Sequence, residues 1–340
     1  METTEMTRKL KLRSFLLAAA AITCLFGEVA SAATTLKMAT DSGAKGSPAG
    51  NALKKWADLI EQKSKGDLKV KVFYQNELGG QQEVFDLHVA GDVQLMLNWP
   101  MTSYDKRIGV IYTPYMTTSW DDALKAYSPG GWVNNLLGGI YKDIGLKFFG
   151  PWPEGFNGVA TRGSHALTIA DAKNIKVRTM TVFPAPQTMQ ALGYQTAAID
   201  WGEVYTAMQT GVVDGEAGNV IFWDYEYFRD IVKTYVRTKH FFMTGVLSMN
   251  QKAWDKLTAE QQKVVSEASL EIMNEQFKAA RAQDEFYVKK AVDAGIKYIE
   301  PTPAELAVLG KAAREKVWPL MEKEIGAEIV KTIRSNASPL

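Results

Sequence analysis

The sequence predicts an α/β protein of two lobes, each built on a mixed, mostly parallel sheet, with a long C-terminal helix that braces both. Strand-like and helix-like segments alternate through residues 34–98 and again from about residue 150. About three hundred residues remain after residues 1–32, and a chain of that length is longer than one hydrophobic core usually contains. The periodic pattern of residues 258–294 would form a helix about 50 Å long at 1.5 Å per residue.

Residues 1–32 have the features of a cleaved signal peptide. A basic stretch precedes an apolar run from Phe15 to Phe26, and Ala30-Ser31-Ala32 is a small-residue cleavage site. The apolar run is shorter than the roughly 20 residues of a spanning helix, so we expect cleavage and a periplasmic protein. Because the single cysteine, Cys24, lies in this run, the mature chain should hold no disulfide and no thiolate-bound metal.

The charge balance of the mature chain favours a small-molecule partner. Of 39 basic and 38 acidic residues, four basic and three acidic ones fall within residues 1–32, so the remainder is neutral overall. A neutral chain gives no electrostatic reason to expect nucleic acid or an anionic membrane surface as the partner. We therefore expect neither.

The first lobe is predicted over residues 33–155, with residues 244–283 returning to it. An amphipathic helix is indicated by the spacing of Leu53, Trp56 and Ile60, and a second helix ends at Gly91. In chain order the segments are strand 34–39, helix 50–64, strand 67–74, a helix through Val84, Leu87 and His88, and an apolar strand ending at Asn98.

The second lobe is predicted over residues 156–243, joined by residues 311–340. "LKFFGPWPEGFNGVATR" indicates strand, loop and strand, and the later segments alternate between strand and helix. They are "NIKVRTM" as strand, "PAPQTMQALGY" as helix, "QTAAID" as strand, "WGEVYTAMQTGVVDGEAG" as helix, glycine stop and short strand, and "KHFFMTGVLSMN" as strand.

The C-terminal third is predicted to be helical. Thr258 followed three residues later by Gln261 is a capping-box start, and Gly295 interrupts the periodic pattern. The resulting helix, about residues 258–294, is long enough to span both lobes. The final segment is expected to form short helices that pack back on the body.

Catalytic and metal motifs give no positive support for an enzyme. His88, His165 and His240 lack the spaced partners that a metal or nucleophile site needs. No GxSxG, HExxH, Walker A or GxGxxG pattern occurs, and no cofactor is predicted. A carboxylate pair needs no local motif, so a periplasmic enzyme acting on a small acid stays an alternative.

Polar and aromatic side chains follow the strands of both lobes, where an open α/β sheet binds its ligands. Arg178 is the one cation among them, and a near-buried arginine seeks a planar carboxylate, from the protein or from a ligand. Trp152 and Trp201 suit either the core or the cleft. The candidate ligand-binding residues are Asp41, Gln82, Asn98, Trp152, Asn157, Arg178, Trp201, Glu216 and Asn219. The set suits a small organic anion held by hydrogen bonds and ring stacking.

Two blocks of sequence, "ADAKNIKVRTM" and "GEVYTAMQTGVVDGEAGN", resemble the extracytoplasmic solute-binding subunits of tripartite ATP-independent periplasmic (TRAP) transporters, the DctP family. The opening "LKMATDSGAKGSPAGNALKKWADLIEQ" is similar too, and the likeness covers essentially all of the mature chain. The resemblance implies a two-lobed, periplasmic-binding-protein-like fold that closes on a small organic anion, carboxylate or sulfonate, and delivers it to separately encoded membrane permease subunits. A monomer is expected, and an ABC-type solute receptor is the alternative.

The resemblance also assigns residue roles. It implies that Arg178 makes the two-pronged contact with a substrate carboxylate, that Trp201 packs on the ligand, and that Asp41 and Gln82 add polar contacts. Two departures change the pattern. The family's usual ligand-binding asparagine aligns with Gly218, one residue before Asn219, and its second arginine is missing from the strand before Arg178. Asn157 or Arg162 would replace that arginine, and Glu216 would be a ligand if a metal took part.

Overall fold

The structure, a computed structural model, describes residues 33–340, so the predicted signal peptide lies outside the described residues. Eleven strands and eleven α-helices make up this part of the chain. The strands are β1 (Thr34–Thr40), β2 (Leu68–Phe73), β3 (Leu95–Asn98), β4 (Leu146–Phe156), β5 (Val159–Thr161), β6 (Lys176–Thr179), β7 (Gln195–Ala198), β8 (Gly215–Glu216), β9 (Thr234–Val236), β10 (Phe242–Asn250) and β11 (Lys297–Ile299).

The helices fill both faces and the C-terminal third. They are α1 (Pro48–Lys63), α2 (Gln81–Ala90), α3 (Trp120–Tyr127), α4 (Trp132–Asp143), α5 (Ala185–Ala191), α6 (Val204–Thr210), α7 (Ile221–Phe228), α8 (Gln251–Asp255), α9 (Ala259–Asp293), α10 (Pro303–Ile325) and α11 (Ala327–Asn336). Short 3₁₀ helices cover Lys106–Tyr112, Asp171–Asn174 and Trp201–Glu203. None of the helices described is long and apolar enough to cross a membrane.

The first sheet has the order β2-β1-β3-β10-β4. β1 and β3 are parallel, with Met38 opposite Leu95, whereas β10 runs antiparallel to both β3 and β4. β4 continues through Pro151 and Pro153, where the sequence predicted a loop. The prolines are tolerated because β4 is an edge strand and its register with β10 shifts twice.

The second sheet has the order β11-β9-β5-β8-β6-β7. β8, β6 and β7 are parallel neighbours, as are β9 and β11, and β5 joins the two groups through antiparallel pairs. Two mixed sheets in an α/β chain confirm the predicted fold class. The sheets contain more antiparallel strand pairs than the alternation of strands and helices predicts. The reason is that β5 and β10 each enter their sheet directly after the chain crosses from the other sheet.

The bracing helix α9 begins at Thr258, whose hydroxyl accepts a hydrogen bond from Gln261 N at 3.2 Å, while Gln261 Oε1 accepts one from Thr258 N at 3.1 Å. This capping box satisfies the exposed donors of the first turn, as the sequence predicts. The helix packs on β4 and α1 of the first half and on α7 and β11 of the second. It therefore ties the two sheets together.

The C-terminal segment differs from the short helices that were expected, because α10 is 23 residues long. Thr302 and Glu305 cap its start and Pro303 occupies the first turn, where proline needs no partner for its missing N–H. α10 packs on α5 of the second sheet and also on the 3₁₀ helix Lys106–Tyr112. The boundaries between lobes remain predictions.

Candidate functional site

A cleft between the two sheets holds a cavity of about 30 Å³. It is called the Arg178 cavity below, because Arg178 is the one formally charged side chain that lines it. The lining residues are Ser42, Gln81, Trp99, Arg178, Met180, Trp201, Asn219, Trp223 and Met243. A space of this size holds a water molecule, so a ligand enters when the two halves move apart and the cavity enlarges.

Sheet register places Arg178 beside Glu216. Both lie in the parallel pair β6 and β8, where the Cα atoms of Arg178 and Glu216 are opposite one another. The backbone N–H of Ala217 then donates to the carbonyl of Arg178 at 3.0 Å, which fixes the short strand β8. Because Met180 follows Arg178 by two residues, the pleat brings both side chains to the same side, facing the cavity.

The guanidinium of Arg178 is fixed at one end and keeps donors at the other. Its side chain is 1% exposed, and Nε donates to the carbonyl of Ile199 at 2.9 Å. Nη1 lies 3.5 Å from Glu216 Oε2, and the guanidinium carbon lies 5.9 Å from the ring centre of Trp201. Among residues 33–340 the only hydrogen bond of this guanidinium is from Nε, so Nη1 and Nη2 retain N–H groups for a planar anion.

Behind Arg178 lies a pair of buried acids. Glu216 accepts hydrogen bonds from the backbone N–H groups of Gly218 at 2.9 Å and Asn219 at 3.2 Å, and Asn219 Nδ2 donates to Asp224 Oδ1 at 3.0 Å. Burial raises the pKa of both carboxyl groups, and the nearby Glu216 charge raises that of Asp224 further. The pair therefore holds one negative charge, on Glu216 next to the arginine, and one proton, on Asp224.

Three tryptophans form an aromatic wall of the cavity. The ring centres of Trp99 and Trp223 lie 5.2 Å apart and those of Trp201 and Trp223 lie 5.6 Å apart, both edge to face. Trp99 follows β3, Trp201 opens the turn after β7, and Trp223 lies on α7, so the wall is assembled from both sheets. Edge-to-face packing of this kind fixes the rings relative to one another.

Two further buried carboxyl groups stand behind that wall. Glu154 on β4 accepts the indole N–H of Trp99 at 2.8 Å and that of Trp223 at 2.9 Å. Asp41, after β1, accepts the backbone N–H of Trp99 at 3.3 Å. Burial raises the pKa of each carboxyl to about 8, despite these hydrogen bonds, which favour the charged form.

These carboxyl groups give the protein a measurable pH dependence. An acid whose pKa is raised on folding destabilises the folded state as pH rises from its unfolded value, near 4, through its folded value, near 8. Burial lowers the pKa of His88 to about 4 and of His240 to about 3, so both bases oppose that trend only below about pH 6.5. Between pH 6.5 and 8 the acids dominate.

We therefore expect the melting temperature of the unliganded protein to fall as pH rises from 6.5 to 8.5. Each carboxyl contributes at most about 1.4 kcal/mol of unfolding free energy per pH unit. Circular dichroism melts at constant ionic strength measure the slope, and Glu154→Gln should make it shallower. A melting temperature that rises over this range would contradict the protonation states assigned to Asp41 and Glu154.

Of the residues predicted from sequence, Arg178, Trp201 and Asn219 line the cavity together. Asp41 and Glu216 lie one layer behind it and act through Trp99 and Arg178. Residues at the ends of strands from both sheets therefore lie close together at the cavity, as the sequence indicates.

Gln82 and Asn157 are not at the cavity, contrary to the prediction. Gln82 Nε2 donates to Asp86 Oδ1 at 2.6 Å and to Ser103, on the outer side of α2, whereas Gln81 lines the cavity and donates to Ser42 Oγ at 2.9 Å. Asn157 lies where the chain crosses between the sheets, in the connection from β4 to β5, next to the connection from β9 to β10. Its Oδ1 accepts from Phe241 N at 3.0 Å and its Nδ2 lies 2.5 Å from His240 Nε2, so its polar atoms are used there.

Asn98, Trp152 and Arg162 also lie away from the lining. Asn98 is fully buried beneath Trp99, and Trp152 packs edge to face on Trp99 with ring centres 6.3 Å apart. Arg162 Nη1 donates to the carbonyl of Met208 at 3.0 Å, at the end of α6. Arg162 therefore does not act as a second arginine of the cavity.

The sequence prediction omitted six lining residues: Ser42, Gln81, Trp99, Met180, Trp223 and Met243. Strand-end position singled out the vicinity of Gln81 and Trp99, and period-two alternation from Arg178 points to Met180. Trp223 and Met243 carried no comparable signal, because they reach the cavity only through the packing of α7 and β10 between the sheets. Within residues 33–340 no group of three or more His, Cys, Asp or Glu side chains is placed to hold a metal ion.

Residues 39–324 match the family described as bacterial extracellular solute-binding protein, family 7. The chain is 28% identical over 222 residues to the ectoine-binding periplasmic protein TeaA of Halomonas elongata, an alignment that covers 62% of this chain and 64% of TeaA. It is 23% identical over 287 residues to the 2,3-diketo-L-gulonate-binding periplasmic protein YiaO of Escherichia coli, covering 83% and 86%.

A solved structure has the same fold. It is that of a TRAP periplasmic solute-binding protein from Sulfurospirillum deleyianum with bound succinate, with a TM-score of 0.80 at 22% identity. The overlay covers 90% of this chain and 99% of that one. At this identity the likeness establishes the two-sheet architecture and no more.

Proposed function

Because the chain belongs to bacterial extracellular solute-binding protein family 7, we propose that it captures a small organic acid in the Arg178 cavity. The acid is delivered to the membrane permease subunits of a TRAP transporter. The buried Arg178 guanidinium carries this proposal, since Nη1 and Nη2 keep N–H donors and Arg178 lines the cavity between the two sheets. A carboxylate takes two parallel hydrogen bonds from that fork, which an ammonium group cannot supply.

The relatives are consistent with this chemistry. TeaA is described as binding ectoine, YiaO as binding 2,3-diketo-L-gulonate, and the Sulfurospirillum deleyianum protein holds succinate. Each of these molecules carries a carboxylate. The relatives favour a TRAP receptor over an ABC-type receptor, and a carboxylate is the feature that we transfer to this chain.

Contacts between the two halves define how the cavity closes. Tyr227 on α7 accepts a hydrogen bond from Ala44 N at 3.2 Å, and Trp223 on the same helix donates to Glu154 on β4. A ligand that touches Arg178 on one side and Trp99 on the other stabilises this closed arrangement over an open one. The permease subunits then recognise the closed form, and no bond of the ligand need be broken.

A ligand screen tests the proposed function. We expect at least one small monocarboxylate to raise the melting temperature by several degrees, while its methyl ester does not, because the ester cannot pair with Arg178. Mass spectrometry of the recovered ligand should find it unchanged. Stoichiometric conversion to a product would instead favour an enzyme acting on a small acid, and equal stabilisation by acid and ester would rule out carboxylate capture.

A further inference from the structure

The aromatic end of the Arg178 cavity offers a ligand no indole N–H donor. Glu154 accepts those of Trp99 and Trp223, and Gln75 Oε1 accepts that of Trp201 at 2.9 Å in the amide orientation that satisfies its neighbours. The ring faces and edges of these residues remain, together with the thioethers of Met180 and Met243. A second carboxylate would enter this end without the donors it needs, so the wall does not suit a dicarboxylate.

The buried shell of the cavity is also rich in acid. Asp41, Glu154, Glu216 and Asp224 are all at most 4% exposed, and one guanidinium, that of Arg178, faces them. The other buried arginine in the described chain, Arg237, has its own partner in Asp284 at 2.7 Å. A purely anionic ligand would disfavour ionisation of Asp41 and Glu154, whereas a ligand cation beside them would be stabilised as they ionise.

Glu154 also polarises the two indole rings whose N–H groups it accepts. An N–H donated to a carboxyl oxygen moves electron density into the ring, which strengthens the negative face that attracts cations. Trp99 and Trp223 both receive this polarisation, and Trp201 stands edge to face against Trp223. Together the three rings form an aromatic box with carboxyl groups directly behind it.

We propose that the ligand is a zwitterion whose carboxylate pairs with Arg178 and whose weakly hydrated cation, an alkylated ammonium or an amidinium, lies against Trp99, Trp201 and Trp223. This assignment rests on the proposed function, because it names the substrate class of the same cavity. The cavity holds about 30 Å³ in this closed arrangement, which favours a compact ligand over a bulky one. The cation pairs with Asp41 and Glu154 as these ionise, and its few N–H groups need few hydrogen-bond acceptors from the aromatic box.

Matched isosteres test the cation separately from the carboxylate. The probes are trimethylammonioacetate against 3,3-dimethylbutanoate, 4-(trimethylammonio)butanoate against 5,5-dimethylhexanoate, and a tetrahydropyrimidinium carboxylate against cyclohexanecarboxylate. Within the two trimethylammonium pairs the shape is conserved and only the cation is removed, whereas cyclohexanecarboxylate also lacks the ring N–H groups. Isothermal titration calorimetry should show that in the pair of best fit the zwitterion binds about tenfold or more tightly than the isostere that lacks the cation. Succinate should bind more weakly than that zwitterion.

The outcomes separate the two proposals. Equal or tighter binding of the isosteres, or tightest binding of succinate, would overturn the cation subsite and leave organic-acid capture standing. If none of these acids binds while another carboxylate of the ligand screen does, the cation subsite fails and organic-acid capture stands. Binding of the zwitterion should also release protons, seen as a dependence of the measured heat on buffer ionisation enthalpy, because the cation favours ionised Asp41 and Glu154.

A variant tests the role of Glu154. Glu154→Gln keeps an acceptor for one indole N–H but cannot ionise when the cation binds, so the preference for the zwitterion over its isostere should fall to about one. The matched control Asp58→Asn, on the exposed face of α1, removes an acid far from the box and should keep the preference. An unchanged preference in Glu154→Gln would overturn the assigned role of the carboxyl group.

Discussion

Replacing Arg178 by alanine is expected to abolish the stabilisation of the protein by its ligand. The substitution removes the two charge-assisted hydrogen bonds that we propose for the ligand carboxylate, and the only formal positive charge among the side chains that line the cavity. Losing a desolvated charge pair of this kind costs about 3 kcal/mol or more, which is a hundredfold or greater loss of affinity. Titration calorimetry measures the affinity, and a cooperative heat-unfolding transition confirms that the variant folds.

Two companion variants sharpen this prediction. Arg178→Lys keeps the charge but not the fork, so it should recover only part of the affinity. Arg162→Ala removes the arginine that the sequence offered as a second cation, and because Arg162 contacts Met208 rather than the cavity, binding should be unaffected. Normal affinity in Arg178→Ala, or a loss in Arg162→Ala equal to that of Arg178→Ala, would contradict the assignment.

Glu216→Ala is expected to destabilise the unliganded protein by about 3–5 kcal/mol. It leaves the Arg178 guanidinium buried without its charged partner and frees the backbone N–H groups of Gly218 and Asn219. An anionic ligand group at Arg178 supplies part of the missing charge. The melting temperature of Glu216→Ala should therefore rise more on adding ligand than that of the parent protein does.

The second buried ion pair of the described chain provides the control. Asp284→Ala removes the partner of Arg237, which is buried to a similar degree but does not line the cavity. It should destabilise by a comparable amount, and ligand should restore no more stability than it adds to the parent. If ligand stabilised both variants equally, the effect of Glu216 would be general and not linked to the site.

The sequence predicted the parts of the site that depend on strand ends and local periodicity. Arg178 lies on a strand whose alternation and register are local properties, and its parallel neighbour β8 brings Glu216 beside it. The resemblance to the DctP family, which rests on the segments that contain Arg178 and Glu216, is confirmed. The strand-end rule likewise placed Asp41 near Asn98, because β1 and β3 are adjacent and parallel.

The sequence predictions differ from the structure at residues whose position depends on the rotation of a helix or on contacts between distant parts of the chain. Gln81 and Gln82 are adjacent on α2, and a rotation of 100° per residue turns one toward the cavity and the other away. Asn157 was assigned to the ligand because it follows β4, yet the crossing segments around His240 use its polar atoms. No local pattern reveals such a crossing, because it joins residues more than eighty positions apart.

Glu154 illustrates a further limit. In the sequence Glu154 lies between Pro153 and Gly155, where a loop residue is expected. In the structure it lies on the edge strand β4 and is buried between two indoles. Its partners Trp99 and Trp223 are 55 and 69 residues away in the chain. The interaction depends on the folded arrangement of β3, β4 and α7, which a single sequence does not specify locally.

The most direct test of the account is a crystal structure of the protein with the acid that gives the largest thermal stabilisation. We predict a carboxylate with both oxygens within about 3.2 Å of Arg178 nitrogen atoms, enclosed by Trp99, Trp201 and Trp223. A ligand bound outside this cavity, or one whose carboxylate lies away from Arg178 while another group faces it, would contradict the central claim.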